Sequence, residues 1–91
     1  MLKLSSEVEI VNTRGLHARA AAKFVALVKE FDATVEVVKD GSRVPGDSIL
    51  EMLTLGAQMG AVITIETEGP DGQSALDALR SLVASGFGEK D

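Results

Sequence analysis

The sequence predicts an α+β fold, an open-faced β-sandwich with its elements in the order β-α-β-β-α-β-α. Three observations carry that reading. Segments around Val8 and Ile10, Val35 and Val37, and Ile63 and Ile65 alternate apolar with polar residues, the mark of strands buried on one face. Two longer segments repeat apolar residues every three or four positions, as amphipathic helices do. Four strands with their apolar faces to one side need a cover, and two such helices supply it.

The first strand is expected over residues 4–11, where Val8 and Ile10 alternate with Glu7 and Glu9, and residues 12–15 turn the chain at Gly15. From Ala18 to about Glu30, Ala21, Phe24, Val25 and Val28 fall on one helical face and leave Arg19, Lys23 and Lys29 largely toward solvent. Thr34 to Lys39 is the second strand. Asp40-Gly41 is a strong hairpin signal, so Ser42 to Val44 returns as a short third strand that Pro45 and Gly46 end. The stretch 47–56 opens with Ser48-Ile49-Leu50-Glu51, a capping-box pattern, and predicts a helix of about two turns that stops at Gly56. Val62 to Glu68 alternates again as the fourth strand. After the turn Gly69-Pro70-Asp71-Gly72, with Asp71 as the expected cap, residues 73–85 carry Leu76, Leu79, Leu82 and Val83 on one stripe.

Ninety-one residues make one small domain, near the size at which a single core suffices. With three Phe and neither Trp nor Tyr, the core is aliphatic and no aromatic platform exists for stacking bases. The net charge of −5 argues further against nucleic acid as a partner. Zero cysteines exclude disulfides and thiolate metal sites, and one histidine leaves no soft-ligand cluster, so neither metal nor cofactor is expected. No stretch approaches the roughly 20 apolar residues of a membrane span, and the first ten residues lack the apolar core of a signal peptide. A cytoplasmic protein without membrane insertion is the expectation, and a monomer.

The chemistry points to residues 12–24, which hold the only histidine, His17. Gly15 before it and the helix formers from Ala18 to Lys23 after it place His17 at or beside a helix N-cap. Unpaired amides and the helix dipole favour an anion there and disfavour imidazolium. A neutral imidazole beside an anion site is what a phosphoryl acceptor needs. Arg19 lies in the first turn, within reach of such an anion. Between Glu9 and Glu30 there is no acid, while Arg14, Arg19, Lys23 and Lys29 all fall in that window, a cationic island in an acidic chain. A surface histidine or weak cap is the plainer alternative. Two readings of other classes are a metal-independent histidine enzyme and a purely regulatory binding module without phosphoryl chemistry. The enzyme reading finds no further catalytic motif and no acid near His17 in sequence.

GLHARAAAKF, together with DSILEMLTLGA and the closing SGFGE, resembles HPr, the histidine-containing phosphocarrier family of the phosphoenolpyruvate-dependent sugar or nitrogen phosphotransferase systems. The resemblance spans nearly the whole chain and departs from the family pattern at Ala20, where proline is usual after the arginine. It implies an antiparallel sheet in the order 1-4-2-3. It implies that His17 accepts phosphate on Nδ1 from enzyme I, whose donor is phosphoenolpyruvate, and passes it to an enzyme IIA domain. Arg19 would pair with the phosphate, and the amides of Ala18 and Arg19 would hold its oxygens. The serine matching Ser48 is phosphorylated in some lineages by a dedicated kinase, which makes Ser48 a candidate regulatory site and a serine kinase/phosphorylase a candidate partner. The stretch after Ser48 holds more apolar side chains than one inward face takes. Met52 and Leu55 are expected in the seam between helix and sheet, while the resemblance makes Ile49, Leu50 and Leu53 a partner surface beside the histidine.

Overall fold

A computed structural model describes residues 2–89. The elements are β1 (Lys3–Glu9), α1 (Ala18–Val28), β2 (Thr34–Lys39), β3 (Ser42–Pro45), α2 (Ile49–Leu53), β4 (Val62–Glu68) and α3 (Gly72–Ala84), followed by a 3₁₀ turn over Gly86–Gly88. The four strands form one antiparallel sheet in the order β1-β4-β2-β3. The α+β open-faced sandwich predicted from sequence is therefore the fold observed. No helix among the described residues is long and apolar enough to cross a membrane.

Register explains which side is covered. Val8 pairs with Ile63 and Val37 with Ile65, so alternate residues of the three longer strands share one face. Ile63, Ile65, Val35 and Val37 on that face are buried and pack with Phe24, Val28, Leu76, Leu79 and Val83 of the helices. Among the described residues, two polar side chains are buried, Asn12 and Thr67. The Thr67 hydroxyl donates to the Gly72 carbonyl at 2.7 Å, at the start of α3. Asp71 occupies the N-cap of α3 but makes no side-chain cap bond. Its carboxylate instead accepts from the Asp32 N–H at 2.7 Å, and its own N–H donates to the Asp32 carbonyl at 3.0 Å. The expected cap thus ties two loops together.

The open face carries charge. Glu36 and Glu66 stand directly opposite on β2 and β4, an arrangement that repels unless bridged. Arg43 on β3 bridges it, donating to Glu36 at 3.0 Å and to Glu66, while Lys3 approaches Glu66 from β1 at 3.8 Å. The hydrogen bond from Arg43 holds the Glu66 carboxyl below its usual range, against some desolvation. A depressed carboxyl stabilises the fold above its unfolded pKa, and the contribution is lost as pH falls through the folded value. Glu66→Gln should therefore lower the urea midpoint modestly at neutral pH, and the gap to the parent should close on acidification. Parallel curves from pH 7 to pH 2 would contradict it.

Candidate functional site

Residues 10–17 join β1 to α1 and are fixed to the loop before β4. Ile10 donates to the Ala61 carbonyl at 2.8 Å, and Leu16 donates to the Ala57 carbonyl at 2.8 Å. The turn closes when the Gly15 N–H donates to the Asn12 carbonyl at 3.0 Å. Gly15 adopts φ +68° and is packed so tightly that a Cβ there would lie 2.7 Å from the Ala57 oxygen and 2.8 Å from the Gln58 Cα. Only glycine suits both the left-handed backbone and that approach.

His17 is the N-cap of α1, with extended backbone (φ −84°, ψ −180°). Its Nδ1 accepts from the Arg19 N–H at 3.3 Å. A neutral ring with Nδ1 accepting carries its proton on Nε2, and Nε2 meets a carboxylate oxygen of Glu89, seventy-two residues on. The other Glu89 oxygen accepts from Asn12 Nδ2 at 2.8 Å, and the same Nδ2 donates to the Gly15 carbonyl at 2.8 Å. Two acceptors around Nδ2 fix the amide orientation, although this leaves the buried Asn12 Oδ1 without a hydrogen bond among the described residues. The bond from Asn12 holds the Glu89 carboxyl below its ordinary range, with His17 and Arg14 adding to the effect against partial desolvation. The imidazole is thus backed by an anion on one nitrogen and presents the other toward the start of a helix.

That start is formed by Ala18, the first helical residue, and by Arg19, both exposed. The first-turn N–H groups have no intrahelical acceptor and favour an anion. Ala20, where the family pattern has proline, buries its methyl in the core and restores one N–H to that turn. On the neighbouring α2, Ser48 is the N-cap, its Oγ accepting from the Glu51 N–H at 3.2 Å. Met52 and Leu55 point inward, as expected. Leu50 is 78% exposed and Ile49 37%, whereas Leu53 is half-buried against the core, so the exposed part of the expected surface is Ile49 and Leu50.

Sequence reasoning missed three participants. Glu89 lies in the motif SGFGE, far from His17 in sequence, and gives the histidine an acid partner that its neighbourhood in sequence does not supply. The sequence marks Asn12 only as a turn residue. Lys23, expected toward solvent, donates from Nζ to the Phe87 carbonyl at 2.8 Å. The available signal was the Gly-Phe-Gly run after α3, since two glycines around a large apolar residue announce a left-handed turn that sends the chain back.

The sequence profile described as "PTS HPr component phosphorylation site" matches residues 4–85. The chain is 43% identical over 86 residues to the phosphocarrier protein HPr of Cupriavidus necator, covering 94% of this chain and 97% of that one. It is 43% identical over 89 residues to the phosphocarrier protein NPr of Shewanella violacea, covering 98% of each. Among solved structures, HPr-C-His from Thermoanaerobacter tengcongensis superposes over 100% of both chains with a TM-score of 0.89 and 38% identity. On the profile match, these identities and the shared four-stranded fold, the chain belongs to the HPr family of phosphotransferase-system phosphocarriers.

Proposed function

We propose that His17 is the phosphoryl acceptor of this phosphocarrier, using Nδ1. The observation that carries the proposal is the division of labour on one ring, with Nε2 facing Glu89 and Nδ1 facing the first turn of α1. The Nδ1 lone pair attacks the phosphorus of phosphorylated enzyme I, a new P–N bond forms, and the donor's bond to phosphorus breaks with its electron pair leaving on the donor. The ring keeps its Nε2 proton and gains positive charge, which the Glu89 carboxylate offsets. In the reverse sense the same proton makes the ring a good leaving group toward an enzyme IIA domain. The work left to the protein is positioning and electrostatics. The amides of Ala18 and Arg19 hold the phosphate oxygens and the Arg19 guanidinium pairs with their charge.

Both partners dock on the face that carries His17, with Ile49 and Leu50 as central apolar contacts, Leu53 supporting them, and Arg14, Arg19, Lys23 and Lys29 as the steering rim. Leu50→Glu should raise the KM for enzyme I and for IIA by about ten-fold while costing less than about 0.5 kcal/mol in stability, since the side chain is exposed. Unaltered KM values for both partners would move the docking face elsewhere. Ser48 is the regulatory position, because a phosphate there would put roughly two negative charges at the edge of that surface. The reading places the protein in the cytoplasm, acting as a monomeric single domain.

Incubation with phosphoenolpyruvate and enzyme I, followed by intact mass, tests the assignment. The chain should gain one phosphoryl group that is labile in acid and stable in base. A regulatory module without phosphoryl chemistry would keep its mass.

A further inference from the structure

After α3 the chain does not simply leave the fold. Gly86, Phe87 and Gly88 all have positive φ (+69°, +58° and +72°), and Phe87 is a bulky residue in a region such residues rarely adopt. The Glu89 N–H donates to the Gly86 carbonyl at 3.0 Å, which closes the turn into a hook. Two things hold the unfavourable residue in place. Its ring is buried in the core at 1% exposure, and its carbonyl accepts the Lys23 ammonium at 2.8 Å. Lys23 belongs to α1, the helix that His17 caps. The same helix therefore carries at its N-cap the ring that Glu89 contacts and, further along, the cation that holds the peptide leading to Glu89. The aliphatic stem of lysine spans the gap, and its compact charge suits a lone carbonyl at the end of a left-handed turn.

Resting on the reading of His17 as phosphoryl acceptor, we propose that Lys23 is a positioning residue for phosphoryl transfer, acting through the Phe87 carbonyl to keep the Glu89 carboxylate on His17 Nε2. Lys23 meets the backbone of the hook. Among the described residues, the groups that face the carboxylate itself are His17 at the N-cap of α1, and Asn12 and Arg14 from the turn before it. Lys23 thus differs from a rim cation whose only task is to attract an acidic partner.

The test compares Lys23→Met, which keeps the stem and loses the donor, with Lys23→Arg, which keeps a donor. Both substitutions sit at an exposed helical position and use good helix formers, so the fold should survive. In Lys23→Met the Glu89 carboxyl, followed by carbon NMR, should titrate upward toward the ordinary carboxylate range. The nitrogen spectrum of His17 should show a larger share of the Nδ1–H tautomer, and kcat for transfer should fall about ten-fold, the low end for losing a group that orients a reactive one. Lys23→Arg should restore most of all three. In a Glu89→Gln background Lys23→Met should add nothing, because the two act in one chain of contacts. A Glu89 titration unmoved by Lys23→Met overturns the proposal. So does an equal, salt-sensitive KM effect with and without Glu89, which is what partner steering alone produces. The NMR arms need no phosphate donor, so they decide the role of Lys23 even if the wild-type chain takes up no phosphate.

Discussion

His17→Asn should take up no phosphate from enzyme I and remain folded. The carboxamide still caps a helix, since asparagine is among the best N-cap residues, and it offers no ring nitrogen for a P–N bond. The change does leave the Glu89 carboxylate without its imidazole, but Asn12 continues to donate to the other oxygen. The stability loss should therefore stay within about 2 kcal/mol, the usual range for changes at a cap, in a domain holding roughly 5–15. Intact mass after incubation with phosphoenolpyruvate and enzyme I reads the first expectation, and thermal unfolding reads the second. A phosphorylated His17→Asn chain would assign the phosphate to another residue. Ser48 is the first to examine.

The second large effect is expected at Gly15. Gly15→Ala forces a side chain into positive φ, where strain costs on the order of 1–3 kcal/mol. It also drives a methyl into the backbone at Ala57 and Gln58, which has no flexible end to move aside, and overpacking of that kind adds about 1–3 kcal/mol. A fall in Tm of roughly 10 °C or more should follow for a domain of this size. The damage should not stay local. The Gly15 carbonyl accepts from Asn12 Nδ2 and from the His17 N–H at 3.0 Å, and the Leu16 N–H is tied to Ala57. Transfer should slow even at temperatures where the variant is folded. A Tm equal to that of the parent would mean that the 57–60 loop gives way freely.

The strands and the two long helices were readable because each obeys a local period. Strand β4 and strand β2 fall where alternation places them, and Asp40-Gly41 announces the β2–β3 hairpin, with Asp40 at φ +50°. Alternation overran the end of β1 by two residues, since Ile10 keeps its inward position and a sheet-like bond to Ala61 after the regular pairing ends. Helix α2 is shorter than the stretch 47–56 suggested, because Thr54 and the residues after it turn out of the helix through bonds to Glu51 and Met52. His17 was legible as a cap for the same local reason. Its partners were not. Glu89 reaches it through a hook made of three left-handed residues, and no periodicity encodes a sign of φ. Asn12 and Lys23 act on groups far along the chain, and their residue types suit a turn and a solvent-facing helix equally well.

The order of the strands also governs how the molecule comes together. Hairpin β2–β3 is local, but β1 has a single neighbour, β4, and even the closest of their paired residues, Glu9 and Val62, are separated by most of the chain. Closing so long a loop is entropically opposed before any contact rewards it, which makes folding of this mixed fold slower than that of helical bundles. The segment carrying His17 begins where β1 ends and is bonded to the residues just ahead of β4. Until that most distant pairing closes, the segment carrying the ring lacks its bonds to the residues ahead of β4, so completion of the sheet and assembly of the His17 site are linked in time.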